Sequence, residues 1–249
     1  MCPHDCDAAL ELGRLIADLE KNRPTPDPPD WLISYRSDTP LSRVHCIEAL
    51  FCRIFPKVSV LRAEHFAKGW PSGSNSLWRS AMEDALGLHA ASLAGGAEGV
   101  LTFEPDCVPM VENWIEVLAN EYRSRQKPIV GNVHFIGTDP HINGNAIWPI
   151  ALARDWPKLI ETPPEVAWDY YHREFIMQQA QDTNLITQYY QRRLLTEEEW
   201  QQVQKNGVRP ALFHGVKDGT ARQLARRYLL MARRGIRPLQ LRPIRLPAG

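Results

Sequence analysis

Gly99-Val-Leu-Thr-Phe-Glu-Pro-Asp, residues 99–106, decides how this chain reads. Four apolar-rich positions of buried-strand type run straight into two carboxylates separated by a proline. In an open α/β sheet ligands bind outside the carboxyl ends of the strands, so a strand that ends on acidic residues marks a candidate site. Glu104 and Asp106, two residues apart at a strand end, can converge on one hard cation, and oxygen donors suit Mg²⁺ or Mn²⁺. The alternative is an acidic turn that favours the start of the next helix.

The flanking sequence supports the α/β assignment. Working towards the N-terminus, helical periodicity is expected over 77–93, a turn-rich loop over 69–75, a strand over 58–62, a helix over 41–55 and a strand over 31–36. Before these lie a helix over 8–21 and Pro24-Thr-Pro-Asp-Pro-Pro-Asp, which cannot continue it and reads as a stiff connector. Working towards the C-terminus, a helix over 111–125 precedes strands over 128–135 and 145–148, with a polar turn over 137–144 between them. From Trp168 onward the chain reads as richer in helix. Strands alternating with helices predict a mainly parallel sheet covered on both faces. The expected division is an N-terminal helix and connector over 1–30, one α/β domain over 31–220, and a basic helix and tail over 221–249.

Three further segments carry chemistry. In Leu212-Phe-His-Gly-Val-Lys, His214 can complete a metal site and Lys217 can neutralise phosphate oxygens; the plain reading is a polar loop with a hydrogen-bonded histidine. In His141-Ile-Asn-Gly-Asn, Asn143 and Asn145 can read sugar hydroxyls, since amides both donate and accept, or can simply form an Asn-Gly turn. In Trp168-Asp-Tyr-Tyr-His, Asp169 can orient or deprotonate an acceptor hydroxyl, or serve as a helix-start charge.

Composition sets the outer limits. With 249 residues, 44% hydrophobic and 23% charged, the chain is neither disordered nor collagen-like. No apolar run approaches the ~18 residues needed to span a bilayer, and Met1-Cys-Pro-His-Asp-Cys lacks the pattern of a secretory signal. Five cysteines in a chain this long predict a reducing compartment rather than a disulfide scaffold. Cys2, His4 and Cys6 could share a metal, although their spacing fits no common zinc site. The 29 basic and 29 acidic side chains cancel, but residues 186–249 hold 13 basic and four acidic. A basic C-terminal stretch of this kind meets phosphate-rich partners or forms a solvated helix face.

In their order and spacing, from Trp31 to Gly219, these segments resemble a nucleotide-sugar glycosyltransferase of the GT-A fold. Glu104-Pro-Asp106 is similar to that family's Asp-x-Asp metal motif, with Glu in place of the first Asp. His214-Gly-Val-Lys217 is similar to a late metal-and-phosphate loop of its glycogenin-like branch. The resemblance implies that Glu104, Asp106 and His214 hold Mn²⁺ or Mg²⁺ on a nucleoside-diphosphate sugar, most readily a UDP-sugar. It implies that Tyr35, Arg36, Asp38, Asn75, Asn143, Asn145 and Lys217 bind the donor. Asp169 would act as general base or position the reacting groups, and Lys217 would stabilise the leaving diphosphate.

Within the family the chain resembles small phage and bacterial enzymes that glycosylate hydroxymethylated bases in DNA, the base J type included. That implies a cytoplasmic setting, in the host if phage-encoded, with no membrane partner. It also implies DNA phosphate contacts from Arg222, Arg226, Arg227, Arg233 and Arg234. A glycan, lipid or small-molecule acceptor is the alternative. A nucleotidyltransferase is disfavoured because Ser34-Tyr-Arg-Ser-Asp offers no glycine-rich loop for a triphosphate, and a hydrolase lacks a dense His/Asp cluster. A non-catalytic glycan- or nucleic-acid-binding module remains the reading outside the enzymes.

Overall fold

The structure is a computed structural model that describes residues 1–64, 67–91, 99–188, 196, 198–199, 210–214 and 219–231. Lys217, Arg233 and Arg234 lie outside the described residues. The fold is mixed α/β.

Helix α1 (Cys6–Asn22) buries Leu12, Leu15, Ile16 and Leu19, the three-and-four spacing of one helix face. The proline-rich connector then delivers β1 (Trp31–Tyr35), which pairs in parallel with β2 (Val58–Arg62). Parallel neighbours need a crossover, here α2 (Leu41–Phe51). Trp31 stacks on Phe51 with ring centroids 4.5 Å apart and contacts Phe55 and Phe103, so the start of β1 is fixed by aromatic packing.

Helix α3 (Ser72–Ala91) begins inside the segment expected to be a loop. Pro71 directly before it suits a helix start, and the Asn75 N–H already donates to the Pro71 carbonyl at 2.9 Å. Strand β3 (Gly99–Thr102) leads into the Glu104–Cys107 turn and then β4 (Val108–Pro109). Helix α4 (Trp114–Ser124) buries Trp114 and Leu118.

The expected single strand over 128–135 is two strands, β5 (Ile129–Gly131) and β6 (Val133–Ile136). The expected polar turn over 137–144 contains β7 (Asp139–Ile142), which closes a hairpin on β6 around Gly137 at φ +63°. Pro140 concealed that strand; in a two-stranded hairpin it can occupy a position that donates no ladder bond. Strand β8 (Ala146–Pro149) returns between β3 and β5, antiparallel to both. A Cβ on Gly131 would lie 2.6 Å from Ile142 Cγ2 and 2.9 Å from Ala146 Cβ, so only glycine fits where β5 passes these neighbours.

Two short helices, α5 (Leu152–Asp155) and α6 (Trp168–Tyr171), precede α7 (Arg173–Gln179) and β9 (Ala180–Asp182), which pairs in parallel with β5. Strands β10 (Ile186–Gln188) and β11 (Leu212–His214) are parallel, β11 is antiparallel to β4, and α8 (Thr220–Met231) packs on α1. The region after Trp168 therefore carries strands as well as helices.

Among the described residues three strand pairs are parallel and four antiparallel, a more even mixture than the sequence pattern predicts. Between β5 and β8 the chain spends its connection on the β6–β7 hairpin instead of a crossover helix, and β8 returns antiparallel to β5.

Two apolar cores result. One joins α1, α2, β1, α4, β11 and α8; the other is built on Trp78, Trp148 and Trp168. Trp168 stacks on Trp78 at 3.5 Å and meets Trp148 edge-on at 5.2 Å, which anchors the start of α6. No helix among the described residues is long and apolar enough to cross a membrane.

Candidate metal centre

The pairing of β4 with β11 creates the site. Phe213 lies opposite Val108 in an antiparallel register, so His214, one residue later, falls beside the turn that precedes β4. Its Nε2 sits 3.3 Å from Glu104 Oε2 and 3.4 Å from Asp106 Oδ1. His214 and Asp106 are buried, while the Glu104 side chain is half-exposed. One ligand atom from each of the three residues lies within 4.8 Å of the others. Two carboxylate oxygens and an imidazole form a donor set suited to a divalent cation of the Mn²⁺ class.

The electrostatics are those of a cation site that a proton can fill. Burial alone pushes the His214 imidazole down, but hydrogen bonding to Asp106 and Glu104, and their charges, outweigh it and hold it up at about 9. At neutral pH the imidazolium balances the carboxylates. A divalent ion must displace that proton, because the ligating imidazole is neutral.

The acidic turn is braced from two directions. Asn145, fully buried at the start of β8, accepts the Glu104 N–H at 2.7 Å and the Cys107 thiol at 3.1 Å on its Oδ1. Its own Nδ2 and backbone N–H donate to Asn143 Oδ1 at 2.7 and 2.9 Å. From the other side Arg222, in the first turn of α8, donates to the Pro105 carbonyl at 3.0 Å. Within the turn, the Cys107 N–H donates to the Glu104 carbonyl at 2.9 Å.

Asp169 stands beside this turn in the first turn of α6. Burial raises its carboxyl to about 6; the Tyr170 and Gly144 backbone N–H groups oppose this, and the Glu104 charge adds to it. Asn75 on α3 sets its position. The Asn75 side chain donates to the Val166 carbonyl at 2.8 Å and accepts the Trp168 N–H at 3.1 Å, fixing the start of α6. His134 on β6 lies within electrostatic reach of His214. Burial first, then the neighbouring His141 charge, holds its imidazole down at about 4. Its ring packs edge-on against His141 at 3.7 Å.

The remaining sequence-selected residues lie as follows. Tyr35 ends β1. Arg36 is buried and gripped by Asp38 through two contacts, Nε–Oδ1 at 2.7 Å and Nη2–Oδ2 at 3.0 Å, with Lys68 3.7 Å from the same carboxylate. A cleft lined by Ser37, Arg62, Ala63 and Glu64 opens at the carboxyl ends of β1 and β2, and its exposed cation is Arg62. Arg226 pairs with Asp18 at 3.0 Å and Glu11 at 3.6 Å, tying α8 to α1, and Arg227 is exposed on α8.

The structure thus brings Glu104, Asp106, His214, Asn143, Asn145 and Asp169 together. It occupies Arg36, Asn75, Arg222 and Arg226 with contacts inside the protein. Sequence reasoning missed the bracing role of Arg222 and the presence of His134 and Arg62. The first two depend on long-range contacts, whereas Arg62 at the end of a strand was open to the strand-end rule. A scan against protein-family models and a search of curated proteins each found no match to this chain.

Two outcomes are expected. Asn145→Leu removes the acceptor shared by the Glu104 N–H and the buried Cys107 thiol and takes the side-chain donor from Asn143 Oδ1, which costs about 1–3 kcal/mol of stability, read by denaturant unfolding. In the same variant Mn²⁺ affinity falls about tenfold or more by calorimetry; unchanged affinity would show that the turn holds itself. Second, in chelator the folded-state His214 value lies above its unfolded value of 6.5. The stability it confers is complete below pH 6.5 and is lost as pH rises through about 9. His214→Gln should flatten that decline in unfolding experiments across this window; an unchanged pH profile would contradict the buried imidazolium.

Proposed function

We propose that this protein is a metal-dependent glycosyltransferase of the GT-A type. It would move a sugar from a nucleoside-diphosphate sugar, most readily a UDP-sugar, to an acceptor hydroxyl. The observation that carries this reading is the convergence of Glu104, Asp106 and His214 from segments 110 residues apart in the chain. A divalent cation held there supplies charge neutralisation for a departing diphosphate.

The surrounding residues suit the other tasks. Asp169, with its carboxyl raised to about 6, is matched to accepting a proton from a hydroxyl near neutral pH. Asn143 and Asn145, the candidates for donor-sugar contact, also brace the acidic turn. The cleft at the ends of β1 and β2 is where a nucleotide would enter, beside Tyr35 and Arg62. Near that cleft Arg36 borders Gly73 on α3, and Asn75 on the same helix fixes the α6 segment that carries Asp169.

On the acceptor, the basic C-terminal stretch over 186–249 supports a phosphate-backbone polymer such as DNA, with a hydroxymethylated base as the hydroxyl. One observation favours the second reading, a glycan, lipid or small-molecule acceptor. Arg222 bonds the Pro105 carbonyl and Arg226 pairs with Asp18 and Glu11, so these two arginines are engaged inside the protein rather than offered to a phosphate backbone.

Asp106→Ala should abolish Mn²⁺-dependent binding of UDP-sugar and lower turnover at least about a hundredfold, with the fold intact by circular dichroism. Binding like that of the wild type would reject the site. Incubation of a sugar-nucleotide panel with hydroxymethylated DNA, followed by mass analysis of the nucleosides, tests the acceptor. A hexose added to the modified base supports DNA. Donor hydrolysis without DNA modification supports the second reading.

A further inference from the structure

The segment Cys2-Pro-His-Asp-Cys6 takes no part in the site above, yet it is firmly held. The Arg36 N–H donates to the Met1 carbonyl at 3.0 Å, joining the segment to the end of β1. The Asp5 N–H donates to the Cys2 carbonyl at 3.0 Å, and the Cys2 N–H donates to Asp5 Oδ2 at 3.1 Å. These reciprocal bonds close a tight turn, Pro3–Asp5, that runs directly into α1.

The turn gathers three different donor types. Cys2 Sγ, an imidazole nitrogen of His4 and a carboxylate oxygen of Asp5 all lie within 4.8 Å of one another, with His4 Nε2 3.5 Å from Asp5 Oδ1. The sequence pointed to Cys6 as the third donor. Instead the buried Cys6 thiol donates to the Cys2 carbonyl at 3.6 Å, and Asp5 takes the third place. A thiolate with an imidazole selects a borderline-soft ion, whereas Mg²⁺ and Ca²⁺ take oxygen alone.

We propose that Cys2, His4 and Asp5 form a second metal site, of the zinc class, with its remaining position open to water. Because the same segment bonds to β1, a bound ion fastens the start of α1 to the strand end that carries Arg36 and Asp38. The site is chemically distinct from the Glu104–Asp106–His214 centre because it contains sulfur.

Co²⁺ binding to the full chain under reducing conditions tests this. The wild type should show a thiolate-to-cobalt charge-transfer band in the near ultraviolet, and Zn²⁺ should bleach it. The band should persist in Asp106→Ala and Cys6→Ser and disappear in Cys2→Ser. His4→Ala, which alters an exposed side chain with no role in packing, should weaken Co²⁺ binding by about tenfold or more. Absence of a sulfur band in the wild type would overturn the proposal. So would a band that survives Cys2→Ser, or Co²⁺ affinity unchanged by His4→Ala.

Discussion

The arrangement depends on one register. Val108 opposite Phe213 carries an imidazole to a turn holding two carboxylates, although 110 residues separate His214 from Glu104. A shift of one residue would turn the His214 side chain to the opposite face of the strand. Flanking packing holds the register: Phe213, Leu212 and Val108 are fully buried in the core shared with α1 and α8, and the Met110 N–H donates to the Ala211 carbonyl at 2.9 Å.

Like charges placed side by side in a partly buried site repel, so the turn needs support independent of any cation. Asn145 and Arg222 provide it by bonding to the backbone and thiol of the turn. The asparagine pair and the arginine fix the path of the chain through Glu104, Pro105 and Asp106, while His214 answers the charge. Asp169 is placed by a separate route, through Asn75 and the tryptophan cluster beneath α6. The Glu104–Asp106–His214 cluster and Asp169 are therefore held by different parts of the fold.

Much of this was legible in the sequence, for identifiable reasons. The α/β class followed from local periodicity, and Leu12, Leu15, Ile16 and Leu19 bury the face their spacing marks. Glu104 and Asp106 were found because carboxylates at a strand end are a local signal. Their meeting with His214 was expected from a resemblance of order and spacing; no local pattern encodes it. Strand β7 was hidden by Pro140 and by polar neighbours. The occupations of Asn75, Arg222 and Arg226 were not legible, because a side chain's partner depends on which distant backbone the fold presents to it. Asn145 illustrates the same limit, since one Asn-Gly-Asn pattern serves equally for binding a sugar or for bracing a turn.

In the proposed mechanism a cation is held by the imidazole at 214 and meets a diphosphate at the same place. Pulsed electron paramagnetic resonance of Mn²⁺ bound to the protein with UDP measures both contacts at once. The account predicts a nitrogen coupling that vanishes in His214→Gln together with a phosphorus coupling from the nucleotide. Tightly bound Mn²⁺ showing neither coupling in the wild type would contradict it.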